Sequence, residues 1–525
     1  MAKNEGKMII ETLSDHVLNT RFEDIDRATV DNTKRRILDM IGNAVGGALC
    51  PGSPELADMA KNWGGKKEAT ILGFGTKTAA HEAAMVNCIF GRSFDRGPLT
   101  IVIEGDWGPY TMFINGKPIN RFANHISETT VLTALALGES KGIDGKELIT
   151  ALVVGDDLAA RLHIVSDRTP PGQAANPNLP RPPMTRGGTD TFGATAITGR
   201  MLGLNKTQMR HAFGLAVTFM GGGGMMARSP AAPAKPAAQG TANIARGANP
   251  GWLGVKDPFF VAAMNQGGYE ETTGTKLMQG ISARSGINAA QLAKAGWTGV
   301  KDAFFGERGG YYPGTASVAY PERATRDLGK KYYVEQVFKP YPGGRPTNAP
   351  TEAALLIVSK NDINSDDIAE VILHLSRPAA AVHYSKPYII GDYPTMNALW
   401  SFYFAVGSAL YRKSSTDENY TDEKIRDPKL QALIKKVKLG DLDKPVGIEL
   451  EVKMKDGRRF TEYIDQATGE PYKPLSRDGL IAKFMEQVEF SGMVSKTNAE
   501  KIITLVENLE EVDNVRKIVA LAAKK

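Results

Sequence analysis

The spacing of apolar residues changes once along this chain, and that change limits the folds open to it. Up to about residue 335, apolar positions recur at helical spacing. Ile37, Ile41, Ala44, Val45 and Ala48 share one face of a predicted helix over 10–48, where Gly42 and Gly46 leave a smooth strip for a neighbour. Helices are predicted over 129–142 and 145–163, the second opened by Asp144 and Glu147 in a capping-box pattern and striped by Leu148, Leu152, Leu158 and Leu162. Asn205 and Gln208 repeat that signature between predicted helices over 190–203 and 206–219, and another helix is expected near 280–296. Beyond 335 the period becomes two. Val446, Ile448, Leu450, Val452 and Met454 alternate with Gly447, Glu449, Glu451 and Lys453, and Asp456-Gly457 turns into a second strand. Val371, Leu373 and Leu375 alternate in the same way, with helices predicted over 349–360 and 396–412. Ser476, followed by Asp478 in a first turn, returns the chain to helix. The expected class is mainly α with an α+β part: a helical domain over 1–335, an inserted or appended α+β domain over 336–471, and a helical tail over 472–525.

Composition removes several classes of function. A net charge of +6 over 525 residues is mild, and no block of five or six basic residues forms an arm for nucleic acid. No apolar run approaches the ~20 residues that span a bilayer. Two cysteines, Cys50 and Cys88, cannot make a disulfide framework, and Met1-Ala-Lys-Asn-Glu-Gly-Lys lacks the apolar core of a signal peptide, so a cytoplasmic protein is expected. Three stretches over 97–124, 166–188 and 221–256 read as long loops, which in compact proteins are lids, subunit arms or disordered segments.

C-x-x-C, H-E-x-x-H and phosphate-loop motifs are absent, and the seven histidines are dispersed, so no metal site is expected. Ala69-Thr-Ile-Leu-Gly-Phe-Gly75 imitates a nucleotide-binding turn but lacks the third glycine. Five places carry chemistry. Gly187-Gly-Thr189-Asp190 runs into a small-residue helix whose first N–H groups favour an anion. Arg92-Ser93-Phe-Asp95-Arg96 reads either as a capped helix end or as a site carboxylate. Asn124-His125-Ile-Ser-Glu128 reads either as a simple cap or as an acid/base histidine at a helix start, where the imidazolium is disfavoured. Lys276 reads as a solvated lysine or a site cation. Phe338-Lys339-Pro-Tyr-Pro-Gly-Gly-Arg345-Pro-Thr-Asn348 reads as an irregular loop presenting two cations suited to carboxylate.

In this order the elements resemble the MmgE/PrpD family, which includes 2-methylcitrate dehydratase, cis-aconitate decarboxylase and iminodisuccinate epimerase. The resemblance rests on Asp39-Met-Ile-Gly-Asn-Ala-Val-Gly-Gly, Ala69-Thr-Ile-Leu-Gly, Phe94-Asp95, His125-Ile-Ser, Gly138 to Ala160 and Phe192-Gly to Gly203. It continues through Gly280 to Gly286, Phe338-Lys-Pro-Tyr-Pro, the Asp456-Gly457 hairpin and Pro474-Leu-Ser-Arg-Asp, and so covers most of the chain outside the three long loops. It implies a large helical domain completed by the C-terminal tail, a smaller α+β lid, and a site between them in a homodimer or higher homo-oligomer. It implies cofactor-independent lyase chemistry of the dehydratase or decarboxylase type on a small carboxylic or polycarboxylic acid. A proton next to a carboxylate is abstracted, or returned to give epimerase or isomerase chemistry. Asp95, His125 and Tyr403 are the implied catalytic residues; Lys339, Arg345, Lys276, Thr189, Asp190, Ser93 and Asn348 are the implied substrate contacts. The chain departs from the family pattern at Ser93, Gly187, Met278 and Phe404, where the family carries aspartate, two histidines and tyrosine. These losses support the alternative of a catalytically silent binding or assembly protein.

Overall fold

A carboxylate cap splits the first predicted helix. The computed structural model describes residues 8–101, 112–114, 117–119, 125–167, 188–220, 273–307, 309–315, 318–376, 383–444 and 446–523. In it Ile9–Asn19 ends at Thr20, and Asp26 opens Arg27–Gly47 by accepting from both the N–H and the hydroxyl of Thr29. Apolar spacing counts faces rather than caps, so it misses this break. Most of the expected loop stretches 97–124 and 166–188, and all of 221–256, lie outside the described residues.

The other helices follow their capping signals closely. Asp144 accepts the Glu147 N–H at 2.8 Å before Gly145–Val165, while Gly142, at φ 70°, ends Ile126–Lys141 in the left-handed conformation. Asn205 and Gln208 cap each other's N–H groups ahead of Lys206–Phe219. Thr189–Met201 packs between Gly145–Val165 and Leu277–Lys294, burying Phe192, Ala196 and Ile197. The strip on Gly42 and Gly46 is occupied by Arg477–Ser491, the first helix of the C-terminal tail, which Ser476 caps. A Cβ on Gly42 would sit 2.6 Å from Gln487 Oε1 and 3.0 Å from Phe484, so close approach requires glycine there.

The alternating segments form one four-stranded sheet in the order Val437–Asp441, Ile368–Leu375, Ile448–Met454, Arg459–Ile464. The first pair is parallel and the other two are antiparallel, with Asp456-Gly457 turning the terminal hairpin. Val371, Leu373, Leu450 and Val452 face a separate apolar core shared with Arg345–Lys360 and Phe402–Arg412. The predicted helix over 396–412 is two helices, Pro394–Leu399 and Phe402–Arg412, because Ser401 caps the second by accepting the Phe404 N–H. Ala69-Thr70 pairs with Lys77-Thr78 as a tight hairpin, not a nucleotide-binding turn. Among the described residues, no helix is long and apolar enough to cross a membrane.

Gly42→Val overpacks the contact between Arg27–Gly47 and Arg477–Ser491. It is expected to lower the unfolding free energy by about 1–3 kcal/mol, read as a lower urea midpoint. A midpoint equal to that of the wild type would show that this contact does not close the helical core.

Candidate functional site

Three stretches meet at the end of Ala80–Arg92: the turn Ser93–Arg96, the start of Ile126–Lys141, and the loop 338–344. Asp95 adopts φ 49°, a left-handed conformation that Asp tolerates better than most residues and that costs about 1–3 kcal/mol when imposed. This conformation turns its carboxylate onto the loop. Asp95 Oδ1 accepts from Lys339 Nζ at 2.7 Å and from Arg92, while Oδ2 accepts from Trp400 Nε1 at 2.8 Å. Lys339 Nζ also donates to the Asp95 carbonyl and, at 3.3 Å, to Gly343 O. An ammonium has three donors, so Lys339 is fully used within the protein. His125 Nδ1 lies 3.0 Å from Glu128 Oε1 and 3.1 Å from the same Arg92 nitrogen, NH1, that contacts Asp95. That nitrogen also donates to Glu128 at 3.3 Å.

The next residue clamps the loop from behind. Arg96 turns away from Asp95 and donates to Pro340 O, at 3.0 Å from Nε, and to Asp417 at 3.1 Å, while pairing with Glu486 at 2.7 Å. The Phe94 carbonyl accepts from Gly343 N at 3.0 Å. Gly343, at φ 99°, could not carry a side chain without strain, since a Cβ there would lie 2.6 Å from Leu399 O. Tyr384 packs its hydroxyl against Gly344, near enough to Arg92 to bear on its charge.

The charges shape one another strongly. Burial works to raise the Asp95 carboxyl, but Arg92, Lys339 and His125 outweigh it and hold the group far below the usual carboxylate range. Glu128 is lowered in the same way, by Arg92 and His125 against burial. Burial and then Arg92 push His125 below the ordinary histidine value, against the pull of Glu128 and Asp95. Burial lowers Lys339, opposed chiefly by Asp95.

The sequence-predicted residues therefore divide. Asp95, His125 and Lys339 come together. Arg345 does not lie on an irregular loop: it is the first residue of Arg345–Lys360, and its guanidinium is engaged by Glu470. Lys276 is buried with its Nζ 2.8 Å from Cys50 Sγ. Ser93 spends its hydroxyl on Ile89 O at 2.8 Å. Thr189 and Asp190 open the Thr189–Met201 helix; Asp190 accepts from Thr129 at 2.8 Å and from Gly188 N at 3.0 Å, and its pKa is raised by burial. Asn348 Nδ2 donates to Gly344 O at 3.3 Å, and its buried Oδ1 has no donor among the described residues. Tyr403 is partly buried among apolar neighbours, and no described hydrogen bond or ion pair joins it to Asp95 or His125. Gly187 lies outside the described residues. Arg92 and Glu128 stand inside the sequence motifs without a role of their own. Their spacing, three residues before Asp95 and three after His125, is the one-turn signal that places them beside those residues. Trp400 and Tyr384 carry no such local signal.

Asp95, His125 and Glu128 put one donor atom each within 4.8 Å of the others, a spacing open to a metal ion. Arg92 NH1 contacts all three, however, and Lys339 contacts Asp95. A divalent cation would have to displace a guanidinium held by two carboxylates, so the set does not suit a metal. A surface cleft lined by Asp15, Glu147, Arg200 and Lys206 lies apart from these groups. Its charges are paired internally, Arg200 with Glu147 at 2.8 Å and Lys206 with Asp15 at 3.0 Å, so it presents no net site.

Comparison with known proteins bears on this arrangement. Residues 11–97 and 123–259 match the family model for the MmgE/PrpD N-terminal domain, and residues 341–511 match that for the MmgE/PrpD C-terminal domain. The gap between the first two blocks falls on the loop stretch 97–124. Cis-aconitate decarboxylase of Homo sapiens is 24% identical over 540 residues, covering 98% of this chain and 94% of its own length. The Mus musculus protein of the same name is 24% identical over 525 residues, covering 97% and 92% respectively.

Asp95→Asn leaves two buried cations without their shared anion and is expected to cost about 3–5 kcal/mol, measured by urea unfolding at pH 7. The folded carboxyl of Asp95 is lowered, so the unfolded state takes up its proton first as the solution is acidified. Wild-type stability should then fall as pH drops below ~4, the ordinary Asp value. The variant should lose less over the same interval; equal losses would mean that Asp95 is not held ionised by its neighbours.

Proposed function

The chain belongs to the MmgE/PrpD family, and from that premise we propose that it is a cofactor-independent lyase acting on a small carboxylic or polycarboxylic acid. A proton next to a carboxylate is removed, and water or carbon dioxide leaves. The observation that carries this reading is the sharing of one Arg92 nitrogen among Asp95, Glu128 and His125. The side-chain contacts that Arg92 makes with the described residues Asp95, Glu128 and His125 all run through that nitrogen, which leaves the rest of the guanidinium fork for a substrate carboxylate. Arg92 thus takes the role that the sequence assigns to Lys339 and Arg345. It offsets the charge that develops as the adjacent C–H is broken.

His125 is the proton acceptor. We assign the Nδ1–H to the ionised Glu128 oxygen at 3.0 Å, so that the Arg92 nitrogen at 3.1 Å is a charge contact and not a donor to Nδ1; Nε2 is then the basic nitrogen, and the lowered pKa keeps the ring neutral at pH 7. Asp95 is too strongly ionised to serve as a base. Its role is to hold Lys339, Arg92 and Trp400 in place. Tyr384, beside Gly344, replaces Tyr403 as the tyrosine of the site. Thr189, Asp190, Asn348, Lys276 and Ser93 remain candidate contacts further along the substrate. In this reading residues 336–471 act as a lid over the helical part formed by 1–335 and 472–525, and the working form is a homodimer or higher homo-oligomer.

The test is an assay of purified protein with cis-aconitate, citrate and methylcitrate, following carbon dioxide release and water loss, with chiral analysis of recovered substrate. Turnover that His125→Ala lowers by about 10²–10⁴-fold is expected. Exchange of the substrate's acidic proton without loss of a group would identify an epimerase or isomerase. Neither turnover nor a substrate-induced rise in melting temperature with any acid would overturn the lyase reading in favour of a binding protein. The acid limb of kcat/KM should lie below the ordinary histidine pKa of about 6.5. Glu128→Gln removes an anion that raises His125, so it should move that limb to still lower pH and reduce the rate; a limb that stays in place would remove Glu128 from this role.

A further inference from the structure

Cys50 and Lys276 form a contact that plays no part in the proton transfer assigned to His125. Cys50 follows the Arg27–Gly47 helix and is fully buried; Lys276 precedes Leu277–Lys294 and is 5% exposed. Lys276 Nζ lies 2.8 Å from Cys50 Sγ. The two thiols meet carbonyl oxygens at 3.4 and 3.7 Å, from Cys88 to Thr129 O and from Cys50 to Ser93 O. A nitrogen at 2.8 Å from sulfur is closer than the ~2.9–3.0 Å usual for N–H···O bonds, although sulfur is the larger atom. Among the described residues Lys276 makes no ion pair with a carboxylate, and its one hydrogen bond is to this sulfur. Among the described residues the Cys50 sulfur is thus the acceptor that a buried amine nitrogen faces. Burial raises the Cys50 thiol against the pull of Lys276, in keeping with a protonated sulfur in the reduced state.

We propose that Cys50 and Lys276 are an oxidative cross-linking site, joined through one oxygen atom as Cys–S–O–NH–Lys. With dioxygen as oxidant, Cys–SH and Lys–NH2 combine with O2 to give the bridge and one water. The S–H bond, one N–H bond and the O–O bond break; the two hydrogens leave in the water with one oxygen, the other oxygen forms the S–O and O–N bonds, and one N–H remains in the bridge. Sulfur and nitrogen each lose two electrons, and dioxygen gains all four. Hydrogen peroxide reaches the same product with two equivalents and three waters. The bridge ties the first long helix to Leu277–Lys294 and consumes the Lys276 amine. It also lies against the Ser93 carbonyl, two residues before Asp95. Cys88, also buried, has no amine partner among the described residues and serves as the internal control.

The experiment uses the folded full-length chain treated with hydrogen peroxide, digested without reductant and analysed by mass spectrometry. The expected product is the Cys50 peptide joined to the Lys276 peptide, heavier than their sum by one oxygen and lighter by two hydrogens. Dithiothreitol should release it, and Cys88 should stay unlinked. Recovery of Cys50 as free thiol, or oxidised on its own sulfur without Lys276, would overturn the proposal; so would a direct S–N link lacking the oxygen. Lys276→Arg should abolish the joined peptide while leaving Cys50 present in the digest. The readout needs no substrate, so its failure is separable from failure of the lyase reading.

Discussion

The site depends on one carboxylate. Asp95 is buried between Arg92, Lys339 and Trp400, and the geometry of the three residues around it follows from satisfying its oxygens. A buried carboxylate is tolerated only when paired and hydrogen-bonded. Here the pairing reaches across 244 positions of sequence, from the end of one helix to a loop that leads into another. The left-handed backbone of Asp95 makes that reach possible. Arg96, next along the chain, reinforces it by holding Pro340 O, so two consecutive side chains grip two consecutive loop residues.

Behind that grip lies a second polar layer that joins distant parts of the chain. Asp417 accepts from Arg96 and from Gln487, Gln487 donates to Asn43 at 2.9 Å, and Lys483 pairs with Asp39 at 2.7 Å while donating to the Arg96 carbonyl. Burial pushes Lys483 down to about 8 even with Asp39 opposing it. Breaking one such pair leaves the other charge buried alone, so these contacts specify one arrangement more than they add net stability. The arrangement they specify places His125 beside an anion and a guanidinium.

Capping chemistry was readable from the sequence in detail. Asn205 with Gln208, Asp144 with Glu147 and Ser476 each cap where their side chains direct, because a cap is a local competition for backbone N–H groups. The hairpin at Asp456-Gly457 and the buried face of Ile448–Met454 were legible for the same reason, since alternation and turn chemistry act over a few residues. Asp26 and Ser401 are equally local caps, but apolar spacing runs on across both, so periodicity alone joins the helices they separate. The parallel pairing of Val437–Asp441 with Ile368–Leu375 carries no local mark at all.

By itself, the sequence determined the class of fold, the order of its parts, and the motifs that mark out Asp95, His125 and Lys339. Periodicity, caps and turns are short-range properties and survive without knowledge of neighbours. Only the tertiary structure decided which partners those residues have. It assigned Arg345 to Glu470 and Lys276 to Cys50, used all three donors of Lys339 internally, and brought Arg92 to the centre. The reason is electrostatic: whether a cation is free to bind a ligand depends on which anion is buried within a few ångströms of it, and spacing along the chain does not encode that distance.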